Sequence, residues 1–147
     1  MNALAGKPIG PIDLLIGYEP DRIAEMVAAY GPEGRAVYAL GEMTADVAYP
    51  IIYTTLFCIV LTLLFRNRPY APFPLVNVLP VAGLIIDFLE NACIIYLLKT
   101  YPNSSGLIIS LCSILTNLKW GISFAIIALV VYGLVQLAFG GRQKRVI

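Results

Sequence analysis

Asp87-Phe88-Leu89-Glu90-Asn91 sets two carboxylates and a carboxamide inside an otherwise apolar run, and Lys119 alone interrupts the last apolar stretch of the chain. A carboxylate can exchange a proton, hold a cation or pair with an ammonium, and a nearby lysine can neutralise it or stabilise developing negative charge. In lipid each such group costs about 2.5–3.5 kcal/mol even on the lenient insertion scale, so it faces a bundle interior and meets partners. Gly83, Asp87, Glu90, Asn91 and Ile94 recur at i, i+4, i+7, i+8 and i+11, which is one helical face. Upstream, Glu42, Asp46, Tyr49 and Tyr53 share a second face, and Cys112, Thr116, Lys119 and Ser123 a third.

These faces need elements to carry them. Of the 147 residues, 59% are hydrophobic and 13% charged, and the mean hydropathy is +0.82. Soluble domains carry about 25% charge, so this composition belongs to an integral membrane protein. A net charge of +1 with no clustered basic footprint excludes nucleic acid as a partner and leaves membrane lipids. There is no histidine, and Cys58, Cys93 and Cys112 lie in apolar stretches at different depths. Reduced thiols are expected, with no metal site and no cofactor.

Each span needs about 20 apolar residues, and the uncharged runs supply three. The expected architecture is all-α: a single polytopic transmembrane helix bundle over residues 1–147, with three spans and a short extracytoplasmic helical cap. Residues 1–43 form the cap segment, 44–66, 74–99 and 106–139 the spans, and 140–147 a basic cytoplasmic tail. Met1 to Gly10 lacks the apolar core of a signal peptide. Ile12 to Ile16 is expected at the membrane interface. Glu19-Pro20-Asp21 starts a helix that stops at Gly31, and Pro32-Glu33 starts the next. Pro50 predicts a kink in the first span. Three prolines within Pro69 to Pro74 make the following turn. Leu107 to Phe139 exceeds the roughly 30 Å hydrocarbon thickness, so it is read as one long helix projecting past the bilayer, with a re-entrant turn at Asn117 to Gly121 as the weaker option.

Three spans place Arg66 and Arg68 on the same side as Arg142, Lys144 and Arg145, and the positive-inside rule makes that side cytoplasmic and the amino terminus external. At about 1.5 Å per residue from that side, Asp46 comes to about 30 Å, Glu90 to about 24 Å, Lys119 to about 31 Å and Asp87 to about 20 Å. Tyr49, Asn91 and Trp120 fall at about 25–30 Å. Polar faces of three helices therefore meet in one outer-half zone: Asp46, Tyr49, Asp87, Glu90, Asn91, Lys119 and Trp120 form the candidate binding site. Lys119 is expected to pair with Glu90 or Asp46. At least one of Asp87 and Glu90 keeps a proton or meets a cation, and Asp87, the deepest, is the choice.

Ala45-Asp46-Val47-Ala48-Tyr49-Pro50, Asp87-Phe88-Leu89-Glu90-Asn91 and Leu118-Lys119-Trp120 resemble the motifs of small multi-spanning bacterial membrane proteins without an assigned activity. Leu15-Ile16-Gly17-Tyr18-Glu19-Pro20 and Tyr30-Gly31-Pro32-Glu33-Gly34-Arg35 look like the same group. The resemblance covers residues 12 to about 138 and implies a bacterial inner membrane. That group looks four-spanning, with one more helix ahead of the part matching Pro11-Ile12-Asp13, where this sequence has ten residues.

Four functional readings follow. A structural network would simply fix helix register. A binding or transport protein would use the acidic groups and the aromatic walls of Tyr49, Tyr53 and Trp120 for a proton, a cation or a small amphiphile. An accessory subunit would seal its polar face against a partner, either a homo-oligomer or a larger membrane complex, as small size and the shorter amino terminus suggest. A lipid-headgroup enzyme would use Asp87 or Glu90 as general acid or base and Lys119 as electrostatic stabiliser. No recognised catalytic spacing supports the last, and enzyme activity stays open.

Overall fold

The computed structural model describes residues 9–15, 20–103 and 105–140. Four α-helices run α1 (Pro20–Ala29), α2 (Gly31–Phe65), α3 (Leu79–Thr100) and α4 (Gly106–Gly140), and no strand occurs among the described residues. Short 3-10 turns at Ile12–Leu14 and Val76–Val78 precede α1 and α3. Three segments are long and apolar enough to cross a membrane: Gly31–Phe65, Val76–Thr100 and Gly106–Phe139. This is the architecture of an integral membrane protein. The basic tail from Arg142 lies outside the described residues.

Local sequence explains the breaks. α1 stops at Ala29, just before Gly31, whose φ of +65° is the left-handed conformation that glycine adopts without a Cβ penalty. Pro32 then sits in the first turn of α2, where its missing N–H costs nothing. α2 runs unbroken through Pro50, and α4 continues through Asn117 to Gly121 as one helix, so the re-entrant alternative is not adopted. Nothing there breaks the ladder, because Lys119 has partners inside the bundle.

α3 lies between α2 and α4 and packs on both. At Gly83 the γ2 methyl of Ile122 comes within 3.3 Å of where a Cβ would stand, so the small residue does bring α4 close to α3. Gly133 of α4 meets Leu64 and Phe65 of α2 still more tightly, at 3.0 Å.

The core is split. At the α3–α4 loop end, Ile23, Met26, Val27, Tyr30, Tyr38, Ile94, Leu97, Ile109 and Cys112 pack together. At the α2–α3 loop end, Leu61, Leu64, Phe65, Val76 and Ile126 form a second cluster. Between them lies a layer of buried polar residues: Glu42, Thr54, Asp87, Glu90, Asn91 and Thr116.

The Ile12 to Ile16 patch, expected at the membrane interface, turns one side inward: Ile12 is 0% exposed and belongs to the first cluster, Leu14 is exposed, and Ile16 lies outside the described residues. The Ile12 segment is a strap tied down by tyrosines. The Tyr38 hydroxyl accepts from the Ile12 N–H at 2.8 Å and donates to Asp13 at 2.8 Å, while the Tyr30 hydroxyl donates to the Gly10 carbonyl at 2.8 Å. A buried amide must be satisfied, and Tyr38 does this from another helix. Burial, reinforced by Asp13, pushes the Tyr30 phenol up from its ordinary pKa. Met26 and Tyr38 are buried in the same cluster.

Candidate functional site

The site begins with a backbone defect. Pro50 has no N–H to give to the carbonyl four residues back, which is that of Asp46. The Asn91 carboxamide of α3 donates to this carbonyl at 2.8 Å. A neighbouring helix thus satisfies the acceptor that the proline leaves, as transmembrane helices require. This locks α2 to α3 at the height where their acidic residues lie.

Lys119 enters from α4. Its Nζ lies 2.5 Å from Glu90 Oε2 and 3.5 Å from Asp87 Oδ1. The second Glu90 oxygen accepts a hydrogen bond from the Thr116 hydroxyl, one turn before Lys119. The expected ammonium–carboxylate pairing is present with Glu90, but the second carboxylate is Asp87 and not Asp46. The cause is position: Asp87 precedes Glu90 by one turn on the same face, so both reach one ammonium. Asp87 shares the Lys119 ammonium with Glu90.

A cavity of about 290 Å³ opens beside this cluster. Asp46, Tyr49, Asp87, Asn91, Lys119 and Trp120 all line it, joined by Pro50, Tyr53, Phe57 and Ser123. Glu90 is not in the wall; it is fully buried behind Lys119. Three helices therefore bring together all seven residues named from the sequence, six at the cavity surface and one as the counter-charge beneath it.

The cavity is chemically unbalanced. Lys119 is shared by Glu90 and Asp87, and the half-buried Asp46 carboxylate has no counter-cation among the described residues. Asp46, Asp87 and Glu90 thus face one ammonium, three possible negative charges against one positive. The walls are aromatic: Tyr49 meets Tyr53 edge-on with centroids 5.4 Å apart, and Trp120 tilts against Phe124 at 5.9 Å. The Trp120 indole N–H is buried without an acceptor, an omission that buried donors rarely show. No cluster of three metal-ligating side chains occurs among the described residues.

Sequence reasoning missed the importance of Glu42. Its place one turn before Asp46 on the same face was the available signal, but it falls within residues 1–43, read as the cap segment outside the spans. It is 1% exposed, and neither carboxyl oxygen has a hydrogen-bond partner.

Neither a protein-family model, nor a curated protein, nor a solved structure matches the chain. Function must therefore be argued from this geometry.

Proposed function

We propose that this is a multi-pass protein of a bacterial inner membrane, amino terminus outside and carboxyl terminus cytoplasmic, whose outer-leaflet pocket binds a small organic cation. The observation that carries the reading is the cavity of about 290 Å³ that joins the uncompensated Asp46 carboxylate to a wall of Tyr49, Tyr53, Phe57 and Trp120. Carboxylate and aromatic faces together favour an ammonium group on an apolar body, since the ring quadrupole attracts a desolvated cation by about 2 kcal/mol or more. The volume lies at the small end of the roughly 300–1,000 Å³ range of ligand pockets and suits a single-ring amine. Lys119 tunes the site: it neutralises Glu90 and part of Asp87, leaving Asp46 to attract the ligand.

Three helices line the pocket, and Tyr49 is still 67% exposed. That exposure favours a further helix, from a second copy or a larger complex, closing the open side. Mild-detergent purification at a mass above one chain supports this closure, and a fully stable monomer that binds ligand removes it.

Trp120 is the only tryptophan in the chain and lines the pocket, so its fluorescence reports occupancy. Phenethylammonium is expected to change the emission saturably, while the uncharged 2-phenylethanol does not. Asp46→Asn is expected to weaken phenethylammonium binding about tenfold, one ion pair's worth in a partly desolvated site. Equal responses to amine and alcohol, or unchanged affinity in Asp46→Asn, would sink the reading.

A further inference from the structure

Glu42 is the buried ionisable group that the pocket does not use. Both of its oxygens lack partners in a side chain only 1% exposed. An ionised carboxylate held that way would carry its full desolvation cost with no compensation, so a carboxyl in this setting holds a proton. Of the four charged groups within electrostatic reach, three are acids that reinforce this and the fourth, Lys119, opposes it. Asp13 of the strap, Asp46 of α2 itself and Glu90 of α3 are acidic, Lys119 of α4 is the one cation, and the phenols of Tyr38 and Tyr30 also lie within electrostatic reach.

Two features place this carboxyl beside open space and beside the cation pocket. A second cavity of about 250 Å³ between α2 and α3 is lined by Glu42 together with Met43, Val47, Phe88 and Asn91. Its upper rim is near the helix end, because Lys99 of the last α3 turn places Nζ 3.9 Å from Met43 Sδ. Asn91 lines this cavity and the cation pocket alike, forming the partition between them.

We propose that Glu42 is a proton-binding site coupled to the cation pocket, so that a cation entering beside Asp46 displaces the Glu42 proton. The inference rests on the cation-binding reading of the pocket. The step balances: the Glu42 O–H bond breaks, its proton passes through the α2–α3 cavity to solvent, and the carboxylate left behind offsets the charge of the bound cation. Net charge in the bundle is the same before and after. By linkage, cation affinity rises with pH through the range in which Glu42 titrates, by up to about tenfold per pH unit when one proton leaves per cation bound, and levels off above it.

The experiment measures protons released per phenethylammonium bound, in weakly buffered detergent solution with a pH indicator, for wild type and Glu42→Gln. The amine stays protonated throughout the working range, so the released proton comes from the protein. Wild type is expected to release up to about one proton per cation. Glu42→Gln, a neutral isostere of the protonated side chain, is expected to stay folded, still bind, and release far less, with affinity no longer rising with pH. Equal release by both proteins overturns the proposal and assigns the proton to the pocket carboxylates. If phenethylammonium binds neither protein, the pocket reading fails, and infrared spectroscopy then decides Glu42 alone. A protonated-carboxyl stretch near neutral pH that Glu42→Gln lacks keeps it as a proton site; no difference between the two spectra overturns that too.

Discussion

Glu42 and Glu90 are the same residue type, buried to the same degree at 1% and 0% exposure, on adjoining helices. Their surroundings are opposite. Glu90 has an ammonium at 2.5 Å and the Thr116 hydroxyl; neither Glu42 oxygen has a hydrogen-bond partner. A carboxylate with an ammonium and a hydroxyl donor is held in one protonation state, and its network fixes how α3 meets α4. A carboxyl without donors can only be stable neutral, and its protonation follows whatever charge arrives nearby. The bundle thus separates a structural acid from a responsive one within the same polar layer.

The largest way to break this contrast is Lys119→Met, which makes Glu90 resemble Glu42. It is expected to destabilise the protein by about 3–5 kcal/mol, as removing one partner of a buried pair does. Denaturant titration in detergent measures this, and Lys119→Met with Glu90→Gln should recover most of the loss. No recovery in the double variant would show that Lys119 acts through something other than the pair. Next in size is Asn91→Leu, which removes the partition and orphans the Asp46 carbonyl. A loss of about 1–3 kcal/mol is expected, the penalty of one unsatisfied buried acceptor. Restoring the helix bond with Pro50→Ala in the Asn91→Leu background should return part of that stability; additivity of the two losses would refute the proline–asparagine link. Smallest, and opposite in sign, is Glu42→Met. Exchanging a partnerless polar group for an apolar one of similar length should be neutral or stabilising by up to about 1 kcal/mol. A loss above that would reveal a partner for Glu42.

The helical class, the three spans and the meeting of polar faces were legible because they depend on periodicity and on the high cost of charge in lipid. Helix rise alone put Asp46, Asp87, Asn91, Lys119 and Trp120 at comparable heights, and the fold lines one cavity with them. Rotation about the helix axis was less legible. Whether Lys119 would reach Asp46 or Asp87 depends on how α4 turns against α3, and the contacts of Gly83 with Ile122 and of Gly133 with Leu64 set that angle. The burial of Ile12 was invisible for another reason. It depends on a chain segment folding back onto Tyr38, and no local pattern encodes a contact between residues 26 positions apart.

The placement of Lys119, the partner of the buried acids, in α4 also bears on how the protein is made. α3 carries Asp87 and Glu90, and their ammonium partner arrives only with α4. Alone in a bilayer, α3 would carry two acids at about 2.5–3.5 kcal/mol each. Entering beside α4, it carries them already matched. The short link between Thr100 and Gly106 suits insertion of α3 and α4 together as one hairpin, so a chain halted before Lys119 is synthesised would hold α3 at the mouth of the insertion machinery.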